Sequence, residues 1–356
     1  MRTTGHKAFV LSRKSTNRSR GWVASAAALA AAGSLVAAQA PAQPHPAAAR
    51  AVAGPADAVI SLVSVNRIEL KRHRGFIEGD GRTVYVGNRT TFRPRRTTVA
   101  IPPQVRARSW VVVDLDTGRL LGSHEARAWL PQASTMKLLT ALTAIRTIRP
   151  GTAHRVTRYE TSQTCTCAGL KRGRYYSRNT LLAGMLLPSG NDAAEAVAGS
   201  HPGGRRAFYR AMNDLARELG ALDTVAKNAS GLTAAGSHSS ARDLVILLRA
   251  AIAEPTIHRI LAKRSATIAT VSGRARHTVW RGTDYVNRYP NSLGKSGWTT
   301  PAQNTLAVMT EIDGHRIAVA SLGAPGGYST SGARALTEWA NANFDGLNAV
   351  GRLPLS

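Results

Sequence analysis

Three short polar strings, far apart in the chain, constrain the fold of this sequence more than any other feature. They are Ser134-Thr-Met-Lys137, Ser189-Gly-Asn191 and Lys295-Ser-Gly297. A hydroxyl, an amine and an amide are the groups that acyl transfer through a serine ester requires. Any one string can occur by chance. All three in this order predict a fold that brings them together around one cleft.

The first string lies at the start of an apolar pattern over residues 136–148, which predicts a helix that Pro150-Gly151 ends. Residues three apart share a helix face, so the Lys137 Nζ can approach the Ser134 Oγ. A lysine near other cations in a partly dry cleft has a lowered pKa and can accept the serine proton. If Ser134 is considered without the other two strings, the alternative interpretation is that it is a helix N-cap.

The second string lies in a turn that Pro188 and Gly190 impose between two helical segments. Both polar side chains of the string can then project into a cleft. Ser189 is interpreted as relaying a proton towards a leaving amine, and Asn191 as holding a substrate amide. The alternative is a capping loop in which Asn191 or Asp192 is the N-cap.

The third string precedes a late hairpin and is predicted to lie on an edge strand that faces the site. Gly297 allows a substrate backbone to lie close to the strand, and Lys295 and Ser296 offer a cation and a hydroxyl to a carboxylate. The alternative is a surface strand with a solvated lysine. Arg242 is interpreted as a salt-bridge residue at a helix start, or as a second group that steers a carboxylate.

The order of predicted elements indicates an α+β fold. A first hairpin is predicted over 110–115 and 119–122, and a last one over 305–312 and 315–321, with glycine turns at Gly118 and Gly314. Between and after them we predict helices at 178–187, 191–199, 205–219, 239–252 and 332–344. The terminal strands are expected to share one antiparallel sheet, packed against a helical cluster.

The N-terminal third differs in composition from the rest of the chain. Residues 1–50 join a basic start to an alanine-rich stretch without charge, which predicts a signal peptide or an N-terminal membrane anchor, or alternatively a disordered tail. Residues 51–108 are predicted to be a basic, largely irregular linker. Residues 109–356 form the predicted catalytic domain. The expected location is therefore the cell envelope, outside the cytoplasm.

The formal net charge of +27 favours anionic partners such as cell-wall polymers or a membrane surface. No zinc-finger spacing or RNA-binding aromatic pattern supports nucleic acid. No motif indicates a metal or a cofactor. The two cysteines, Cys165 and Cys167, are separated by one residue. Such a pair reaches disulfide geometry only with difficulty, and the sequence does not decide whether they are bridged.

From about Ser109 to Tyr328 the chain resembles the serine D-alanyl-D-alanine carboxypeptidases, which are the low-molecular-mass penicillin-binding proteins. The resemblance extends well beyond the three strings. It is carried by Val113-Asp-Leu-Asp-Thr-Gly118, Leu130-Pro-Gln-Ala-Ser-Thr-Met-Lys137, Leu187-Pro-Ser-Gly-Asn-Asp-Ala-Ala-Glu195, Asn228-Ala-Ser-Gly-Leu232 and Ser239-Ser-Ala-Arg-Asp243.

This resemblance implies a β-lactamase/transpeptidase-like fold and removal of the terminal D-alanine from peptidoglycan stem peptides. It implies that Ser134 is acylated, that Lys137 is its base, and that β-lactams bind. It also assigns further residues. Ser189, Asn191 and Lys295 complete the site, the backbone N–H groups of Ser134 and Trp298 form the oxyanion hole, and Ser296, Gly297, Arg242 and Thr299 contact substrate. One departure is Ser296, where the family usually has threonine.

Three alternatives stay open at the level of sequence. A D,D-endopeptidase has the same motifs. A β-lactamase shares the fold, although none of Glu195, Glu218 and Glu254 is followed four residues later by asparagine, which argues against the class A type. A catalytically inactive cell-wall-binding module is the third alternative, and the intact Ser134 and Lys137 weigh against it.

Overall fold

A six-stranded antiparallel sheet forms the centre of the fold. The structure is a computed structural model that describes residues 100–347, 349 and 351–353. The sheet strands are β1 (Ser109–Asp114), β2 (Arg119–His124), β7 (Ser292–Thr299), β8 (Gln303–Ile312), β9 (His315–Ala324) and β10 (Gly351–Arg352). Their order across the sheet is β10-β2-β1-β9-β8-β7. Two smaller hairpins are β3 (Ala153–Arg155) with β4 (Tyr175–Ser177), and β5 (Ser265–Ala269) with β6 (Arg276–Trp280).

Helices occupy most of the chain between the early and late strands. They are α1 (Lys137–Thr147), α2 (Arg158–Thr161), α3 (Arg178–Leu186), α4 (Asn191–Gly199), α5 (Gly204–Glu218), α6 (Ala241–Ala253), α7 (Pro255–Leu261), α8 (Asp284–Arg288) and α9 (Tyr328–Ala342). A 3-10 turn over Ala133–Met136 precedes α1. The predicted α+β fold, with strands from both chain ends in one antiparallel sheet, is confirmed. The short helices and the two smaller hairpins were not predicted.

The strand β1 is buried on both of its faces, which explains its unbroken apolar sequence. Val111 and Val113 belong to the core that the sheet shares with the helical cluster. Trp110 and Val112 point to the opposite face and pack in a second core with Trp339 of α9. The sheet therefore lies between the helical cluster on one side and α9 on the other.

The packed domain begins before the predicted boundary at Ser109. Ile101 and Val105 are partly buried against the second core, and the Arg106 guanidinium lies 4.4 Å from the centre of the Tyr328 ring. These contacts attach irregular chain to α9. The predicted export segment and the linker up to residue 99 lie outside the described residues. Within the described residues, no helix is both long enough and apolar enough to cross a membrane.

The late hairpin places the third polar string at the edge of the sheet. β8 and β9 are joined through Asp313 and Gly314, whose φ angles of 49° and 80° fit the primed turns that suit a two-residue hairpin. β7 pairs only with β8 in the described sheet and is its edge strand, as predicted. β7 and β8 also contact the turn Ala133–Met136, so the edge of the sheet lies beside Ser134.

Candidate active site

The Ser134 turn is fixed by contacts from two distant segments. Ala133 has a φ of 48°, and its carbonyl oxygen lies close to Gly231. A Cβ on residue 231 would be only 1.9 Å from that oxygen. The Thr305 Oγ1 on β8 donates a hydrogen bond of 2.9 Å to the carbonyl oxygen of Gln132. The serine is therefore held between the sheet and the loop that carries Gly231, at the start of α1.

The Lys137 side chain is fully buried, and its amine contacts three oxygen atoms. Its Nζ lies 2.7 Å from the Ser134 Oγ, 2.8 Å from the Asn191 Oδ1 and 2.6 Å from the Ser230 carbonyl oxygen. The amine is thus directed at the hydroxyl by two further acceptors. The structure brings Lys137 to Ser134, as the one-turn spacing predicts, and it adds a contact between Lys137 and Asn191.

Burial controls the charge of both lysines in the site. It lowers the pKa of Lys137 well below 10.5, and the nearby Lys295 cation lowers it further, while Glu195 and Asp192 oppose the shift. Burial also lowers the pKa of Lys295 to about 7. A neutral Lys137 can accept a proton from Ser134, which the same amine cannot do at its ordinary pKa near neutral pH.

The orientation of the Asn191 amide follows from its hydrogen bonds. Its Nδ2 donates to the Thr164 carbonyl oxygen at 2.7 Å, and its backbone N–H donates to the Thr166 carbonyl oxygen at 2.7 Å. The Oδ1 is consequently the atom that faces Lys137. The next residue, Asp192, accepts hydrogen bonds from the backbone N–H groups of Ala168 and Leu170 and fixes the same loop.

Glu195 supports the site from inside the helical cluster and was not predicted. Its fully buried carboxylate accepts backbone hydrogen bonds from Ala229 at 3.0 Å and from Ser230 at 3.2 Å, and one from the Tyr209 hydroxyl. It therefore positions the backbone of Ser230, whose carbonyl oxygen contacts Lys137. The Asn228-Ala-Ser-Gly-Leu232 stretch stood out in the sequence, but nothing in its spacing reveals this partner.

A cleft of about 350 Å³ opens in front of the Ser134 hydroxyl. Ser189 lies in it with a φ of 67°, and Trp298 at its edge is 62% exposed. The Lys295 Nζ donates to the Ser296 carbonyl oxygen at 2.7 Å. The cleft is lined by Ser134, Thr166, Pro188, Ser189, Gly282, Asp284, Tyr285, Lys295, Ser296, Gly297, Trp298, Asn304, Thr305, Leu306, Ser329 and Thr330.

Two predicted substrate contacts are not brought into the cleft. Arg242 is 3% exposed and is bound within the helical cluster, where it donates to the Gly220 carbonyl oxygen and pairs with Asp243. The prediction that it steers a carboxylate is wrong, because its guanidinium is buried away from the cleft. Thr299 caps the turn after β7, where its Oγ1 accepts from the backbone N–H of Ala302.

The loop that orients Asn191 contains both cysteines. Cys165 and Cys167 are joined by a disulfide, with their Cα atoms 4.8 Å apart. The bridge therefore lies between Thr164 and Ala168, among the residues whose backbone groups bind Asn191 and Asp192. In the part of the chain that the structure describes, no three His, Cys, Asp or Glu residues cluster as metal ligands.

Taken together, the groups at the cleft form a serine acyl-transfer site. A hydroxyl contacts a buried amine of lowered pKa, a fixed amide contacts the same amine, and a second lysine lies on the edge strand. The family model for D-alanyl-D-alanine carboxypeptidase matches residues 96–326, well over half of the chain. The chain belongs to this D-alanyl-D-alanine carboxypeptidase family.

Relatives with known names agree with this assignment. A D-alanyl-D-alanine carboxypeptidase of Mycobacterium tuberculosis is 35% identical over 62% of this chain and 76% of its own length. A D-alanyl-D-alanine endopeptidase of Escherichia coli is 30% identical over 65% of this chain and 76% of its own. A solved D-alanyl-D-alanine carboxypeptidase structure from M. tuberculosis, 34% identical, superimposes with a TM-score of 0.65 over 72% of this chain and 97% of that one.

Proposed function

We propose that this member of the D-alanyl-D-alanine carboxypeptidase family removes the terminal D-alanine from peptidoglycan stem peptides through an acyl-enzyme on Ser134. The observation that carries the proposal is the 2.7 Å contact between the Lys137 Nζ and the Ser134 Oγ, made by an amine whose pKa burial lowers well below its ordinary value. The family assignment and the named relatives support the reaction class.

In the acylation step the Ser134 Oγ attacks the carbonyl carbon of the penultimate D-alanine, and its proton passes to the neutral Lys137. The carbonyl oxygen becomes an oxyanion, which the backbone N–H groups of Ser134 and Trp298 stabilise. The C–N bond then breaks, and D-alanine leaves as its amine after it receives a proton through Ser189. Water next attacks the ester, loses a proton to Lys137 and releases the shortened peptide with Ser134 restored.

Substrate recognition uses the edge strand. The terminal carboxylate of the substrate binds the Lys295 cation and the Ser296 hydroxyl, because a charge-assisted hydrogen bond in a desolvated cleft is stronger than a neutral one. The substrate backbone lies along β7 at Gly297, where no side chain intervenes. Ser296 keeps the hydroxyl of the threonine that is usual in the family at this position.

The same site is expected to bind β-lactams, whose strained amide takes the place of the scissile bond and acylates Ser134. We place the enzyme at the cell envelope, where its polymeric substrate is found. Residues 1–50 export it or anchor it in our proposal, and their structure lies outside the described residues.

The test of the proposal is release of free D-alanine from a soluble pentapeptide that ends in D-alanyl-D-alanine. A cross-linked peptide dimer serves as a second substrate, since one relative is named an endopeptidase. D-Alanine release from the pentapeptide with little cleavage of the dimer supports a carboxypeptidase. Cleavage of the dimer with little D-alanine release contradicts it in favour of an endopeptidase. No product from either substrate contradicts both activities.

Replacing Gly297 with alanine is expected to lower the acylation rate by about 10²-fold, since a displacement of about 1 Å near the reacting atoms has an effect of that size. A Cβ at Gly297 would lie 2.5 Å from the backbone nitrogen of Ser134 and 2.6 Å from the Thr305 Oγ1. Gly151→Ala is the matched control, because its Cβ meets nothing within 4 Å. Acylation rates with a fluorescent penicillin measure both variants. Equal rates for the two would show that the close approach does not matter.

The pH dependence of kcat/KM is expected to have two limbs. Activity rises with pH as Lys137 loses its proton, because only the neutral amine accepts the Ser134 proton. It falls again near pH 7, because Lys295, whose pKa burial lowers to about 7, is a cation only below that pH. A substrate with a neutral terminal amide should lack the falling limb. If kcat/KM fell at the same pH for both substrates, the assignment of the falling limb to Lys295 would be contradicted.

A further inference from the structure

Two segments beside the cleft carry basic residues and no acidic ones. Residues 161–191 and 255–283 contain no aspartate or glutamate. Five of their exposed cations, near the contact between the two segments, form a surface that we call the basic rim: Lys171, Arg172, Arg174, Arg274 and Arg276. The two segments are bound to each other, since the Val271 N–H donates to the Tyr175 carbonyl oxygen at 2.8 Å and the His277 Nε2 lies 2.7 Å from the Ala168 carbonyl oxygen.

The basic rim lies beside the cleft and has no acidic partners in the part of the chain that the structure describes. Within the described residues, no member of the rim has an ion pair with an aspartate or glutamate. Some exposed arginines elsewhere do pair with neighbouring carboxylates, as in Arg217–Asp214, Arg288–Asp284 and Arg334–Glu338. Five unpaired cations on two adjoining segments repel one another, and they attract a polyanion.

The basic rim is continuous with the cleft along one strand. On β6, the side chains of Arg276, Thr278 and Trp280 alternate with the buried Val279 and are exposed, Trp280 by 68%. Gly282, two residues further on, lines the cleft. Arg276 is six residues from Gly282, roughly 20 Å of extended chain. On the other segment, the rim begins five residues after the cleft residue Thr166.

A row of exposed side chains that leads into the cleft fits an extended polymer. Each stem peptide that ends in D-alanyl-D-alanine carries a carboxylate, so a strand with many stems is a polyanion. Guanidinium groups bind carboxylates in a two-point geometry, and an exposed tryptophan offers a flat apolar face to a sugar ring. A membrane surface would require a larger apolar area than Val271, Tyr175 and Trp280 provide beside the rim.

We propose that the basic rim binds the carboxylates of an uncross-linked peptidoglycan strand while one of its stem peptides occupies the cleft. The enzyme consequently acts on polymeric strands in preference to free stem peptides. This inference rests on the proposed function, and it adds the polymeric form of the substrate to it.

The experiment compares kcat/KM for D-alanine release from a soluble pentapeptide and from purified uncross-linked strands freed of phosphate polymers. In the double variant Arg274→Gln/Arg276→Gln we expect a roughly fivefold loss on strands and no change on the peptide, since two exposed ion contacts each contribute a fraction of a kcal/mol. The double variant Arg206→Gln/Arg210→Gln is the matched control. It removes two exposed arginines from α5, which contributes no residue to the cleft.

The wild-type preference for strands should fall as salt is raised, because exposed charge contacts are screened. An equal effect of the rim and control variants on strands would overturn the proposal. The proposal would also be overturned if the wild type bound only to walls that retain their phosphate polymers. The same holds if the rim variant bound phosphatidylglycerol vesicles more weakly than the wild type but acted on strands equally well.

A failure of the proposed function is recognised separately. Co-sedimentation of the Ser134→Ala protein with purified strands requires no turnover. If the wild type releases no D-alanine from either substrate, the proposed function fails. The Ser134→Ala protein is therefore compared with the rim pair Arg274→Gln/Arg276→Gln added and with the control pair added. If only the rim pair abolishes co-sedimentation, the rim proposal is still supported. Equal co-sedimentation of the two would overturn it.

Discussion

Replacing Ser134 with alanine is expected to abolish covalent labelling by a fluorescent penicillin and to lower D-alanine release at least 10³-fold. The hydroxyl is the atom that carries the acyl group in the proposed mechanism, and loss of a catalytic serine nucleophile typically has an effect of this size or larger. Gel fluorescence measures the label, and release of D-alanine from a pentapeptide measures turnover.

Ser272→Ala is the control for this experiment, because Ser272 is an exposed serine in the turn between β5 and β6. It should label and turn over like the wild type. Label on both Ser134→Ala and wild type would place the acyl group on another residue. An absence of label on the wild type as well would favour the catalytically inactive wall-binding module.

Replacing Lys137 with methionine is expected to lower the acylation rate by 10²- to 10⁴-fold, the usual contribution of a general base. Methionine is neutral and similar in length to lysine. The substitution therefore removes the only amine in contact with the Ser134 Oγ among the described residues. It leaves the Asn191 Oδ1 and the Ser230 carbonyl oxygen without this donor, at about 1–3 kcal/mol each. The absence of a buried amine offsets part of that cost.

Acylation kinetics with a penicillin and the melting temperature measure the two effects separately. The matched control is Lys227→Met, since Lys227 is exposed and lies outside the cleft. A folded Lys137→Met protein that acylates within a few-fold of the wild type would show that another group is the base. A protein with an unchanged melting temperature and a large loss of rate supports Lys137.

The secondary structure near the site could be predicted from the sequence because the signals there are local. Alternating and continuous apolar runs identified β1, β8 and β9, and the apolar spacing of residues 136–148 identified the helix that follows Ser134. The turn signals Pro188 and Gly190 placed the start of α4 at Asn191, the last residue of the second polar string. The hairpins β3–β4 and β5–β6 were missed, because their strands are short and their outer faces are polar.

Long-range partners were the part that local patterns did not reveal. Glu195 lies in an alanine-rich helical run, and only the fold brings its carboxylate to the backbone of Ala229 and Ser230. The error at Arg242 has the same origin. An arginine near a helix start can face solvent, substrate or a buried carboxylate, and the packing of α6 selects Asp243 and the Gly220 carbonyl oxygen.

The sequence alone determined the α+β class, the order of the three polar strings and the one-turn spacing of Ser134 and Lys137, because these properties depend on neighbours along the chain. Only the tertiary structure decided which groups share the cleft, how far burial lowers the pKa of Lys137 and Lys295, and that unpaired cations adjoin the site. Desolvation and charge pairing depend on distances in space, and residues far apart in sequence set those distances.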